Sequence, residues 1–292
     1  MKSINISEYK VTTKVTIEDT KTFIDLKASK DDIEDELEDT RERLGELQDT
    51  LYAHGKYAVL VCLQGMDAAG KDSLIREVFK DFNARGVVVH SFKVPTELEK
   101  KHDFLWRHYI ALPARGKFGV FNRTHYENVL VTRVHPEYIM GENLPHVDSV
   151  EDIDEKFWDK RFEQINNFEK TIAENGTIIF KFFLNLSKEE QKNRQLRRLR
   201  KTNKNWKFSA GDLDERDLWS DYMRCYEDIL NRTSKEHAPW YVIPSDDKPS
   251  ARLTVASIML QELQKYNDIK EPELDDKTKA RIDEFIARLE GE

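Results

Sequence analysis

The stretch from Tyr57 to Lys80 limits the folds open to this chain more than any other. It begins Tyr57-Ala58-Val59-Leu60-Val61-Cys62-Leu63-Gln64, an apolar, β-branched run of the length of a fully buried strand. Gly65-Met66-Asp67-Ala68-Ala69-Gly70-Lys71-Asp72-Ser73 follows at once, and Leu74-Ile75-Arg76-Glu77-Val78-Phe79-Lys80 is compatible with a helix. A Gly-x4-Gly-Lys string means little alone, but between a strand and a helix it describes a turn that cradles phosphate. Glycine lets the backbone approach an anion closely. The first N–H groups of the helix lack internal partners, and its dipole favours negative charge there. Lys71 adds a mobile point charge for the outer phosphates.

Two positions depart from the usual string. Where Ser or Thr commonly follows the lysine to help hold magnesium, this chain has Asp72, with Ser73 one residue later. Asp67 places a carboxylate inside the loop, which repels phosphate unless a cation lies between them. Asp67 is therefore read as a magnesium ligand.

The 292 residues carry a net charge of -8, which argues against a general nucleic-acid binder. Residues 188 to 207 break that pattern: nine Lys or Arg stand against Glu189 and Glu190, a net of +7 that leaves -15 for the rest. A positive island in an acidic protein calls for an anionic partner. No apolar run approaches roughly 18 residues and the amino terminus lacks an apolar block, so the expectation is a cytoplasmic protein with no membrane partner. Cys62 and Cys225 read as small core residues.

Along the chain, residues 1 to 30 read as an arm, and Asp31 to about His54 as a helix with Ile33, Leu37, Leu44, Leu47 and Leu51 on one stripe. Gly86 to Phe92 reads as a second strand, closed by Pro95. Lys101 to Tyr109 alternates aromatic and basic residues at helical spacing, which suits either a core helix with snorkelling charges or a basic wall facing phosphates. Gly119-Val120-Phe121 is a strand tip leading into Asn122-Arg123-Thr124-His125-Tyr126-Glu127, with Arg133 and His135 beyond. Ligands of open α/β sheets gather at the carboxyl ends of strands, so this cluster is a candidate site. Asn122 stands where an Asp commonly orders magnesium, Glu127 brings a carboxylate, and Arg123 would neutralise charge on a transferring group.

A helix from about Glu155 to Glu174 and a fourth strand, Thr177 to Leu184, precede the basic segment. That segment reads as a helix with an irregular tail, in the position of an arginine-bearing lid; at least two of Arg194, Arg197 and Arg198 share a face. Asp212 to about Arg232 reads as one helix, Pro239 to Pro244 as a fifth strand, and a further helix reaches about Lys265. The last twenty residues look like a polar helix suited to an interface. Five strands with helices between them imply one α/β sheet in a single domain over residues 31–292, with the lid at about 188–210.

Taken together, Gly65 to Asp72, Phe92-Lys93-Val94-Pro95-Thr96, His102 to Arg107, Asn122 to Glu127, the basic lid with Trp206-Lys207, and Ala238-Pro239-Trp240 followed by Lys248 and Arg252 resemble the polyphosphate kinase 2 family. The resemblance runs from about Asp31 to Glu262, and Asn122 and Glu127 make it most similar to the class III branch, which acts on AMP and ADP.

It implies a P-loop kinase-like three-layer sandwich, a five-stranded parallel sheet flanked by helices, with a basic helical lid. It also implies transfer of a phosphoryl group between inorganic polyphosphate and adenine nucleotides (AMP, ADP, ATP), with magnesium, or manganese in its place, in a dimer or tetramer. On that resemblance Asp67 and Asn122 organise the metal, with Glu127 tuning metal or nucleotide, and Lys71, Arg123 and Arg133 grip the reacting phosphates. Gly65, Met66, Ala68, Ala69, Gly70, Asp72 and Ser73 form the phosphate loop, and Arg194, Arg197, Arg198 and Lys207 belong to the lid. Lys93, Lys101 and Arg107 fall along the polyphosphate track. An ATP-dependent nucleoside monophosphate kinase would keep the same loop and lid, and is the alternative.

Overall fold

The computed structural model describes residues 4–200 and 211–292. Strands β1 (Ala58–Gln64), β2 (Val87–Ser91), β3 (Phe118–Asn122), β4 (Thr177–Asn185) and β5 (Trp240–Pro244) form one parallel sheet in the order β2-β3-β1-β4-β5. All seven residues of β1 are buried, as the apolar run Ala58 to Leu63 requires at the centre of a sheet covered on both faces. The register sets Leu63 opposite Asn122 on β3 and Gln64 opposite Phe183 on β4. The turn after β1 and the turn after β3 therefore leave the sheet side by side.

The helices are α1 (Lys30–His54), α2 (Lys71–Val78), α3 (Trp106–Tyr109), α4 (Val131–Val134), α5 (Glu155–Glu174), α6 (Lys188–Arg200), α7 (Gly211–Asp217), α8 (Trp219–Thr233), α9 (Lys248–Leu263), α10 (Asp276–Lys279) and α11 (Ile282–Glu290). Period-two alternation sends Val59, Val61 and Leu63 into a core shared with α1, α2 and α9. Leu60 and Cys62 face the other way, onto Phe168 and Ile172 of α5, and α5 and α8 together close that face around Phe183 of β4 and Trp240 of β5. The result is the expected three-layer sandwich. A Ser29–Asp32 capping box starts α1, and Gly55, at φ +66°, ends it.

Three local expectations change. The lead-in is packed rather than loose: Lys10 bridges Tyr241 antiparallel, Val11 N–H donates to Trp240 O at 2.8 Å, and Val11, Ile17 and Leu26 are buried. This covers the outer edge of β5, whose backbone groups would otherwise lie open. The helix expected over Asp212 to Arg232 is two, α7 and α8, broken at Leu218. Leu213 is exposed, while Glu215 and Arg216 make polar contacts, so α7 is oriented by those contacts and not by the core. Finally, no continuous helix spans Lys101 to Tyr109: a 3-10 turn (Glu99–Lys101) ends at its start and the single turn α3 closes it, because the Asp103 side chain accepts the Leu105 N–H and starts the chain afresh.

Candidate phosphate site at the carboxyl ends of the strands

The loop between β1 and α2 is held in a shape that few residues tolerate. Gly65 has φ +154°, and a Cβ there would lie 3.0 Å from Leu184 O and 3.1 Å from the Ala69 Cβ. Gly70, at φ +110°, precedes α2, and no side chain caps that helix, so its first N–H groups are left for a ligand. Lys71 folds back over the loop, its Nζ donating to Gly65 O at 2.6 Å and Met66 O at 3.3 Å. Burial, and then the nearby Arg123, hold Lys71 below the ordinary lysine value. Ser73 Oγ donates to Gly70 O at 2.9 Å and so serves the loop itself.

Across the crevice, Asn122 Nδ2 donates to Asp72 Oδ1 at 2.8 Å, while its Oδ1 is buried without a partner. Arg123 is exposed and sits at φ +60°. Gln64, not singled out in the sequence, ties the two turns together: its Nε2 donates to Thr124 Oγ1 at 3.1 Å and to Glu127 Oε1 at 3.0 Å. Met66, Asp67, Lys71, Arg123 and Glu127 share one cleft of about 150 Å³ with Tyr222 and Tyr226. Larger hollows, of about 440 Å³ between α1 and α9 and about 550 Å³ beside the amino-terminal arm, lie away from these groups. Convergence of charge, not volume, selects the smaller cleft.

The arginines expected together in the lid do different things. Arg198 Nη1 lies 3.1 Å from Asp67 and 3.6 Å from Asp212, so it reaches the loop. Arg194 is buried, and its guanidinium donates to Ala68 O (3.0 Å), Ala69 O (2.9 Å), Ser245 O (2.5 Å) and Asp246 O (2.9 Å), with Nε on Glu190 at 2.8 Å. Those bonds make it a brace beneath the phosphate loop rather than part of a closing lid. Arg197 is exposed and pairs with Glu190 at 2.6 Å.

Arg133, expected to grip phosphate, pairs with Asp228 at 2.6 Å and lies over Trp158 and Phe162, which turns it away from the cleft-lining set. Arg107 Nη1 donates to Lys93 O at 2.9 Å, and its Nε lies 3.3 Å from Glu99. It stabilises the loop after β2, while the Lys93 and Lys101 side chains are exposed. Lys207 lies outside the described residues. Two further groups escaped the sequence reading. Gln191 Nε2 donates to Asp67 O at 3.1 Å. Lys248, quoted only as part of the resemblance, stands beside Gly70, its Cε 3.6 Å from where a Cβ there would lie. Burial first, then Arg194, Arg252 and Arg197, lower Lys248 to about 8.

No cluster of three or more carboxylate, histidine or cysteine side chains suited to a metal occurs among the described residues. Magnesium seldom uses such a cage: it keeps waters and takes one or two carboxylates plus substrate phosphates. Asp67 in the cleft and the unpartnered Oδ1 of Asn122, which is tied to the loop through Asp72 but is not itself among the cleft-lining residues, are oxygen donors of the kind that ion takes.

Comparison with known proteins agrees with this geometry. The pattern of the family described as Polyphosphate kinase 2 (PPK2) matches residues 27–271. The ADP-polyphosphate phosphotransferase of Rhodopseudomonas palustris is 50% identical over 223 residues, covering 76% of each chain. The AMP/ADP-polyphosphate phosphotransferase of Meiothermus ruber is 45% identical over 222 residues, 76% of this chain and 78% of that one. Among solved structures, polyphosphate kinase 2 from Arthrobacter aurescens superposes with a TM-score of 0.85 at 35% identity, covering 94% of this chain and 95% of the other. This chain is a kinase and belongs to the polyphosphate kinase 2 family.

Proposed function

We propose that the protein transfers the terminal phosphoryl group of inorganic polyphosphate to ADP, giving ATP, and to AMP, giving ADP, in a reversible, magnesium-dependent reaction of the class III type. The observation that carries this reading is the meeting of Lys71, Arg123 and Arg198 with the acidic Asp67 at a phosphate loop, next to the basic helix α6. A polyanionic donor accounts for so many cations in an acidic chain. The names of the relatives also favour polyphosphate over ATP as donor.

The acceptor is a phosphate oxygen already ionised at neutral pH, so no general base is needed, and catalysis consists of positioning and charge stabilisation. The loop N–H groups and Lys71 hold the reacting phosphates, Arg123 neutralises charge on the transferring group, and Arg198 closes from α6. Asp67 and Asn122 would hold magnesium, with manganese able to replace it and Glu127 adjusting metal or nucleotide. Bound there, the ion would screen the two polyanions from each other and offset charge at the transferring group. Arg194 supports the loop from behind. Dimers or tetramers in the cytoplasm are part of the proposal; no helix among the described residues is long and apolar enough to cross a membrane.

The test supplies AMP and ADP separately with polyphosphate and magnesium and follows ADP and ATP formation, with ATP as donor in a parallel arm. Product from polyphosphate is expected, and turnover supported by ATP with AMP but not by polyphosphate would favour the nucleoside monophosphate kinase instead. Lys71→Ala and Asp67→Ala should each lower turnover at least about a hundredfold, roughly 2.7 kcal/mol of transition-state stabilisation.

A further inference from the structure

Beneath the turn that carries Arg123 and Glu127 lies an ion pair with no solvent access. Glu169 on α5 and Lys181 in β4 are both fully buried, with Nζ and Oε2 2.6 Å apart. The ammonium also donates to Tyr126 OH and to Thr233 O, each at 2.8 Å, so its three protons have three acceptors. Glu169 Oε1 accepts from Tyr126 OH at 2.6 Å and from His125 Nε2 at 3.0 Å. Burial alone would push Glu169 up, but Lys181 and His125 overcome it and keep the carboxyl below its ordinary value. His125 is held down, mainly by burial, and so stays neutral with its proton on Nε2.

Such a pair is weak ground for stability, because well-packed apolar residues of similar size often serve as well. Its partners point to another task. Arg123 has φ +60°, a conformation a non-glycine residue keeps only when its surroundings impose it. The residues after it are the fixed ones: Thr124 is held by Gln64, and His125 and Tyr126 are hooked to Glu169 and Lys181. Arg123 and Glu127 stand at the two ends of that clamped segment and open into the cleft.

We propose that Glu169 and Lys181 are positioning residues for phosphoryl transfer, clamping His125 and Tyr126 so that Arg123 and Glu127 are presented to the reacting phosphates. This rests on the role proposed above for Arg123. Since a misplacement of about 1 Å can cost about a hundredfold in rate, loosening the clamp acts on kcat more than on KM.

The test is a mutant cycle. Glu169→Gln/Lys181→Met leaves no unpaired charge and keeps the volumes close. Folding is checked by circular dichroism and thermal melting, and kcat and KM for ADP and polyphosphate are measured with and without Arg123→Ala. The expected result is a kcat lowered roughly 10–100-fold with KM within about threefold, and a further loss under threefold when Arg123 is already alanine. Tyr126→Phe removes one clamp hydroxyl, leaves both charges facing each other, and carries the same cycle if the double variant does not fold. A folded variant with parental kcat, or equal losses in both backgrounds, overturns the proposal. Arg123→Ala at parental turnover refutes the site reading itself, and the inference falls with it.

Discussion

Arg194 offers a sharp test of the reading of α6, because the two roles open to it make opposite predictions. As a lid residue it would matter only when substrate is bound, and Arg194→Ala would lower activity without changing stability. In the structure its guanidinium bonds four main-chain carbonyls, two in the phosphate loop and two after β5, and joins α6 to both. Hydrogen bonds to a charged group contribute about 1.5–3 kcal/mol each and do not add in full, since desolvating the guanidinium offsets part of the gain. Glu190 keeps Arg197 as a partner, so truncation abandons no charge. A loss of about 3–5 kcal/mol follows from the orphaned carbonyls. Arg194→Lys should recover less than half of it, because a compact ammonium has three donors and cannot span the two pairs of carbonyls. Arg197→Ala, removing an exposed pair from the same helix, should stay within about 0.5 kcal/mol of the parent. Urea titration followed by circular dichroism measures all three. An Arg194→Ala protein as stable as the parent but without activity would refute the brace and restore the lid.

Three further expectations follow. Gly65→Ala must hold φ +154° and bring a Cβ to 3.0 Å from Leu184 O, so it should cost about 1–3 kcal/mol in urea titration and also lower turnover; a neutral outcome would mean the loop relaxes freely. His108 and His125 are both held below the ordinary histidine value, chiefly by burial, so the unfolded chain binds more protons once pH drops below about 6.5. Stability should therefore fall from pH 7 to 5, and less steeply in His108→Gln; a flat profile in the parent would contradict neutral buried rings. Lys248, at about 8, should regain its proton when an anion binds beside it, so polyphosphate binding should take up about half a proton at pH 8 and weaken about fivefold from there to pH 9. Titration calorimetry in buffers of different ionisation enthalpy would detect that proton, and its absence would separate Lys248 from the polyphosphate.

The fold was legible because its signals are local and redundant. β1 is apolar from Ala58 to Leu63 and is bounded by a glycine turn, and α1 carries both an apolar stripe and a glycine stop, so each announces type and limits without reference to the rest. The misreadings fall where local pattern and tertiary demand part. The aromatic and basic alternation from Lys101 to Tyr109 suits a helix, yet the Asp103 turn interrupts it. The amino-terminal arm lacks periodicity because it earns its place by covering β5, a need visible only once the strand order is known. Gln64 and Gln191 carry no charge and match no motif, and only the register of β1 with β3 and the docking of α6 against the loop reveal them.

The arginines of α6 mark the boundary most clearly. Spacing of four places Arg194 and Arg198 on one helix face, and both do face the loop. One helical turn separates them, and that turn decides what each can reach. Arg194, nearer the end of β4, meets main-chain carbonyls, acceptors fixed in place whether or not substrate is present. Arg198, one turn farther out, meets the carboxylate of Asp67, a group that other cations can claim. A guanidinium bonded to carbonyls is committed to the fold, whereas one paired with a metal-competent carboxylate can exchange that partner for phosphate. Sequence gives residue type and helical phase, and so cannot tell these two states apart. The difference lies in the chemistry of the opposing acceptor, which the tertiary structure alone supplies.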